Sequence, residues 1–297
     1  MVLTAALVSS VSFGAAATAA PEARHTLGYH GGPVMLQDTN YVIFWEPQTL
    51  QDGTPTHVSS TYNTLVERYF RDVGGSGLYA NDTQYYQVRN GRKRFIRDSS
   101  ILGGAWLDTG AYPSPGCFDP YTPRNCVSDK QVRAEVLKAM QVNGWTAGHS
   151  HLFFVFTSYG EGSCVAGRIT PGCSFARFCA WHNFFRSGGR MVVYANQPYA
   201  GTRLDYCGVP ASPNHDPDAD STLSLVSHEQ MEAVTDPSYR AWWRGPDSET
   251  GEIADICFIW DPLDEDGGKA NQLWNGHAYI LQDEWSNAAR GCVQEGP

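Results

Sequence analysis

Residues 221–237 read STLSLVSHEQMEAVTDP and set His228, Glu229 and Glu232 in the frame H-E-x-x-E. Residues four apart on a helix share a face, so His228 and Glu232 can grip one ion while Glu229 stands beside them. The frame differs by one letter from H-E-x-x-H, where two imidazoles hold zinc and the glutamate serves as general base. A carboxylate beside the first ligand is what activating a metal-bound water requires. The same letters also describe the solvated polar face of an ordinary helix. Wound at about 100° per residue, Leu223, Val226, Ala233 and Val234 fall on one side, and His228, Glu229 and Glu232 on the other with Leu225.

A catalytic zinc takes three protein ligands and keeps one position open. Downstream, GEIADIC (251–257) offers Glu252 and Asp255 as the third ligand. Glu252 follows Glu232 by twenty positions, a separation like that between the second His and the Glu ligand of gluzincin-type proteases. Asp255 would then support His228 from the second layer, and the two carboxylates can exchange roles. His182 in FCAWHN is a further candidate ligand or cleft residue. His30 in GYHGGP is another cleft candidate, with a hydrogen-bonded histidine in a Gly-rich turn as its plainer reading. One neutral imidazole with two carboxylates leaves Zn²⁺ formally neutral, a weaker Lewis acid than with two imidazoles and one carboxylate. An oxygen-rich set also shifts preference toward harder ions such as Ca²⁺ or Mn²⁺. Zinc is therefore the first cofactor to expect and calcium the second.

Positioning such groups needs a folded frame, and the composition supplies one. With 42% hydrophobic and 18% charged residues over 297 positions, the chain can bury a sizeable core. A formal charge of −10 argues against a nucleic-acid partner. The apolar stretch Val2–Ala17 followed by Ala17-Thr18-Ala19 fits a secretory leader over 1–19, with a short segment 20–28 and one domain over 29–297. No later stretch reaches the roughly 20 apolar residues of a membrane span. Eight cysteines, an even number, suit disulfides in an exported chain: Cys117, Cys126, Cys164, Cys173, Cys179, Cys207, Cys257 and Cys292. Cys117 and Cys126 flank a Pro-containing loop and form a natural local pair, and Cys257 with Cys292 would staple the C-terminal segment.

Strands are expected over 39–47, 151–159 and 190–199, and helices over 56–73 and 129–145, with a Gly- and Cys-rich loop spanning 160–190. Asp218, Asp220 and Ser221 are the N-cap choices for the helix bearing the polar cluster. Asp236-Pro237 closes that helix, because proline disfavours helix in the residue before it. This order makes an α/β or α+β single domain, a twisted sheet backed by helices with disulfide-pinned loops, the order also used by zincin metalloproteases.

Several stretches carry a resemblance across nearly the whole mature chain, from about Tyr29 to Cys292. They are YHGGPVM, YVIFWEP, FCAWHNFF, VVYANQPY, VSHEQMEAVTDP, GEIADIC and WSNAARGC. Together they resemble the phosphate-induced protein 1, or EXORDIUM-like, group of secreted proteins and its microbial branch. The resemblance implies an extracellular protein with a zincin-like domain, and a metal at His228, Glu232 and Glu252 or Asp255. Plant relatives of this group are associated with the extracellular matrix and growth. Two functions follow as expectations. One is a metal-dependent peptidase, Glu229 its base, acting on a peptide or protein substrate. The other is a non-catalytic protein binding a cell-wall or matrix component.

Other features read more quietly. DPLDEDGG (261–268) lacks the calcium-loop frame, since Pro262 and Leu273 stand where ligands belong. Trp242, Trp243, Trp274 and Trp285 suit core packing better than a carbohydrate platform. No G-x-S-x-G frame supports a serine hydrolase.

Overall fold

A computed structural model describes residues 26–165, 172–248, 250–260, 263 and 265–297. The leader over 1–19, most of the segment 20–28, and residues 261, 262 and 264 of the acidic loop lie outside the described residues.

Alternation along two central strands builds both sides of the molecule. In Asp38–Trp45, Val42 and Phe44 face one way while Ile43 and Trp45 face the other, and Phe154 and Phe156 oppose Phe153 and Val155 in His151–Thr157. Five strands form the sheet in the order Trp181–Ser187, Arg190–Gln197, His151–Thr157, Asp38–Trp45, Ser100–Asp108. The last four are mutually parallel, and Trp181–Ser187 is an antiparallel edge. On one face lie the helix Tyr62–Asp72 and the long helix Pro217–Thr235, through Tyr62, Val66, Tyr69, Phe70, Leu223 and Val226. On the other lies Asp129–Asn143, through Val132, Val136 and Ala139. The result is a mixed α/β domain with helices on both faces of one sheet.

Three expectations need correction. The stretch 160–190 is not all loop: WHNFFRS pairs with RMVVYAN across Gly188-Gly189, whose φ values of 55° and 78° make a two-residue hairpin turn. The helix expected from residue 56 starts at Tyr62. Its approach is held by Ser59 Oγ, 2.6 Å from Asp216 Oδ2, and by the Thr61 hydroxyl on the same oxygen. That carboxylate is the N-cap of the long helix, in place of Asp218, Asp220 or Ser221. It accepts the Ala219 N–H at 3.1 Å, with Pro217 in the first turn where its missing N–H costs nothing. Asp218 instead accepts the Tyr199 hydroxyl and Asp220 that of Ser212. The helix ends at Thr235, as Asp236-Pro237 requires.

All eight cysteines are paired: Cys117–Cys126, Cys164–Cys173, Cys179–Cys207 and Cys257–Cys292. The first and last are the pairs expected from spacing. An oxidised set of this kind is consistent with an extracellular protein. Trp242, Trp274 and Trp285 are buried in the core. No helix among the described residues is long and apolar enough to cross a membrane.

Candidate metal centre

Three separate elements aim their polar side chains at one point. The long helix contributes His228, Glu229 and Glu232. Strand alternation in the edge strand turns Trp181 toward the helix Asp129–Asn143 and His182 toward the long helix, opposite the small Ala195. The turn 251–257 buries Ile253 and Ala254 in the core and frees Glu252 and Asp255 to point inward. That turn is fixed by the Trp285 N–H on the Ile253 carbonyl at 3.0 Å and by the Cys257–Cys292 disulfide.

Glu232 stands at the centre. Its Oε1 lies 3.2 Å from His228 Nε2 and accepts the Asp255 N–H at 3.1 Å, while its Oε2 lies 3.6 Å from His182 Nδ1. Asp255 Oδ1 is 3.7 Å from His228 Nε2, and Glu252 Oε1 is 3.8 Å from His182 Nε2. Two trios therefore share Glu232: His228–Glu232–Asp255 and His182–Glu232–Glu252. The pairing His228, Glu232, Glu252 is not assembled as such, since Asp255 reaches His228 while Glu252 turns to His182. Glu229 belongs to neither trio; its Oε2 is 3.3 Å from His182 Nδ1. His30 stands outside the cluster, exposed and stacked on Trp243 at 3.6 Å.

Burial is the second feature. Glu229 and Glu232 are each 4% exposed, His182 3% and Glu252 2%, so the helix face read as solvated is closed. The outer trio is more open, with the Asp255 side chain 24% and that of His228 12% exposed.

Four carboxylates and two imidazoles in so little space cannot all keep their ordinary charge. Burial pushes Glu252 well above the usual carboxylate range, reinforced by the charges of Glu232 and Asp236. Burial raises Glu229, and burial with the Glu232 charge raises Asp255. For Glu232 burial acts upward too, but the flanking imidazoles of His228 and His182 outweigh it and hold the group low. Burial would lower His182, yet Glu229 and Glu232 lift it to about 10, and Glu232 lifts His228 likewise. Protons held by the raised groups offset part of this crowded negative charge. A divalent cation can take their place, and protons and cation compete for the same atoms.

The donor geometry fits such an ion. Zinc–ligand bonds of about 2.0–2.2 Å place two ligand atoms about 3.3–3.6 Å apart at a tetrahedral centre. In the His228–Glu232–Asp255 trio both contacts are made by His228 Nε2, at 3.2 and 3.7 Å, whereas Glu232 and Glu252 approach opposite ring nitrogens of His182. His182 Nε2 and Glu252 Oε1 face each other buried and without hydrogen-bond partners, an arrangement costly unless something bridges them. His228 Nδ1 lies 3.2 Å from Gln282 Oε1, and the Gln282 amide is oriented by donating to the Ala254 carbonyl at 2.6 Å. The amide oxygen therefore accepts a hydrogen bond from Nδ1–H and holds the ring with Nε2 turned toward the carboxylates, the usual support for a ligating histidine.

Comparison with known proteins gives one partial likeness. The chain is 32% identical over 95 residues to Protein EXORDIUM-like 3 of Arabidopsis thaliana, covering 28% of this chain and 28% of that protein. The matched stretch is thus under a third of the relative's length. No family model matches the chain, and no solved structure matches it.

Proposed function

We propose that this chain is a non-catalytic extracellular protein that binds cell-wall or matrix material. In this reading its His/carboxylate cluster holds a divalent cation as part of the architecture. The observation that carries it is closure of the cluster. Glu229, the one candidate base, is buried against His182, and peptide hydrolysis needs that base beside an open cleft. Two open cavities of about 360 Å³ among the described residues lie elsewhere, one beside Gly32, Arg89 and His149, the other beside Asp72 and Trp274. Each trio offers one imidazole nitrogen and two carboxylates, a small donor set that suits zinc better than calcium, which takes six to eight oxygens. Four disulfides and the likeness to an EXORDIUM-like protein support the extracellular and matrix-associated part of the reading.

A metallopeptidase is the second reading, favoured by the partly open His228–Glu232–Asp255 trio. It requires Glu229 to swing away from His182 and serve as base. One experiment separates the two. Purified chain is incubated with a broad peptide library, with and without chelator, beside the Glu229→Gln variant. The first reading expects no hydrolysis from any sample and a melting temperature lowered by several degrees on chelation. Chelator-sensitive cleavage that vanishes in Glu229→Gln would replace it with the second.

A further inference from the structure

A chain of net charge −10 concentrates five of its 21 basic residues, Arg89, Arg92, Lys93, Arg94 and Arg97, within one short stretch. That stretch is a hairpin, Tyr86–Arg89 against Arg92–Phe95, closed by Asn90-Gly91 with φ values of 53° and 71°. Both turn residues take the positive φ that a tight two-residue hairpin needs. The register pairs Tyr86 with Phe95, Gln87 with Arg94, Val88 with Lys93 and Arg89 with Arg92.

Alternation sorts these residues onto two faces. The first is satisfied within the protein: the Lys93 ammonium sits 4.1 Å over the Tyr86 ring, Phe95 packs its edge there, and Tyr86 packs on Trp242. The second carries Gln87, Arg89, Arg92 and Arg94. Gln87 is spent on bracing, its Oε1 accepting the Val34 N–H at 3.2 Å. Among the described residues no carboxylate pairs with Arg89, Arg92 or Arg94. Arg89 and Arg92 are directly opposed across the strands, and like charges in that position destabilise a hairpin. An anion laid on this face would offset that cost.

The same face forms one wall of the cavity of about 360 Å³, with Arg89 and Arg94 on one side, His149 on another, and Val34, Leu36 and Gly32 completing it. Gly32 is packed so closely on the Arg240 backbone that a Cβ there would meet its carbonyl oxygen at 2.4 Å. The cavity is at the small end of ligand sites, suited to a sugar unit or two. Guanidinium forks match carboxylates in pairs, and the apolar lining suits the CH face of a pyranose ring. Arg92 continues the charge on the same hairpin and Arg97 lies two residues beyond it, which favours a repeating anion over a single one.

We propose that this hairpin and cavity bind an acidic polysaccharide whose sugar units carry carboxylates. The proposal rests on the extracellular reading above and is independent of the cation cluster. It is tested on the full disulfide-bonded chain with immobilised polygalacturonate and a neutral glucan, in calcium-free buffer. The expected result is binding to polygalacturonate alone. It should weaken as salt rises from about 50 to about 200 mM, and fall by about tenfold or more in an Arg89→Ala, Arg94→Ala double variant. The melting temperature of that variant should be unchanged or higher, since an opposed charge pair is gone. Chelator-treated protein run alongside should bind equally well, so failure of the cation reading leaves this result standing. Equal binding to the neutral glucan, no binding, an unaffected double variant, or tighter capture by anionic vesicles or DNA would each overturn the proposal.

Discussion

Glu232 touches both imidazoles, and almost every property of the cluster passes through it. Residue-scale support for its neighbour His228 comes from Gln282, whose amide fixes which ring nitrogen faces the carboxylates. Gln282→Leu keeps the volume but removes the acceptor, so the ring is free to present its proton to Glu232. Metal affinity in a competition titration should drop by about 10–100-fold while the fold persists. An unchanged affinity would remove Gln282 from the account. At this scale the sequence was legible in part. Helical spacing and a nearby acidic turn put Glu252 first as the partner of His228 and Glu232, with Asp255 as its exchange, and it is Asp255 that stands by His228. Gln282 could not be read, because it meets His228 across 54 residues and has no motif of its own. Glu229 sat in the right frame, but its direction is set by His182, a partner that helix geometry alone does not reveal.

The edge strand and the turn 251–257 are the elements that convert a helix face into a closed site. The strand was hidden among glycines and cysteines, although Trp181, His182 and the Gly188-Gly189 turn hold the signal of a hairpin. Long apolar strands such as HLFFVFT announced themselves by composition and the Pro237 stop of the long helix was readable, whereas its cap lies at Asp216, before every candidate read from the sequence. The turn depends on a staple, Cys257–Cys292, closing a separation of 35 residues. Replacing both cysteines by serine should cost about 2–5 kcal/mol. It should also loosen Glu252 and Asp255, so metal retention after dialysis should fall in step with stability. The matching pair of substitutions at Cys117 and Cys126, separated by nine residues, should lower stability while leaving metal retention intact. Equal metal loss in both variants would show that the turn has no special part.

Across the whole molecule, buried acids other than the cluster shape the response to pH. Glu161 is fully buried, with one oxygen on Gln51 Nε2 at 2.8 Å and the other without a partner. Burial raises its pKa from 4.5 to about 8, with the nearby Asp52 charge adding to the rise. Between those values the folded chain keeps a proton that the unfolded chain has released. The stabilising contribution is therefore complete below the unfolded value and is lost as pH climbs through about 8. Glu161→Gln, which cannot ionise, should gain stability relative to the parent as pH rises from about 5 to about 8. Parallel pH profiles of the two proteins would contradict this. A sheet backed by helices was visible in the order of strands and helices, whereas helices on both faces and burial of the polar cluster were not, because His182 lies 47 residues before Glu229 and Glu252 lies 20 after Glu232. The most direct test of the central claim is the metal content of the purified, disulfide-bonded chain by elemental mass spectrometry, measured beside Glu232→Gln. The account predicts at least one tightly held divalent ion per chain, zinc ahead of calcium, and none in the variant. A correctly folded wild-type chain that holds no metal, takes up none on zinc addition, and melts at the same temperature with or without chelator would contradict it.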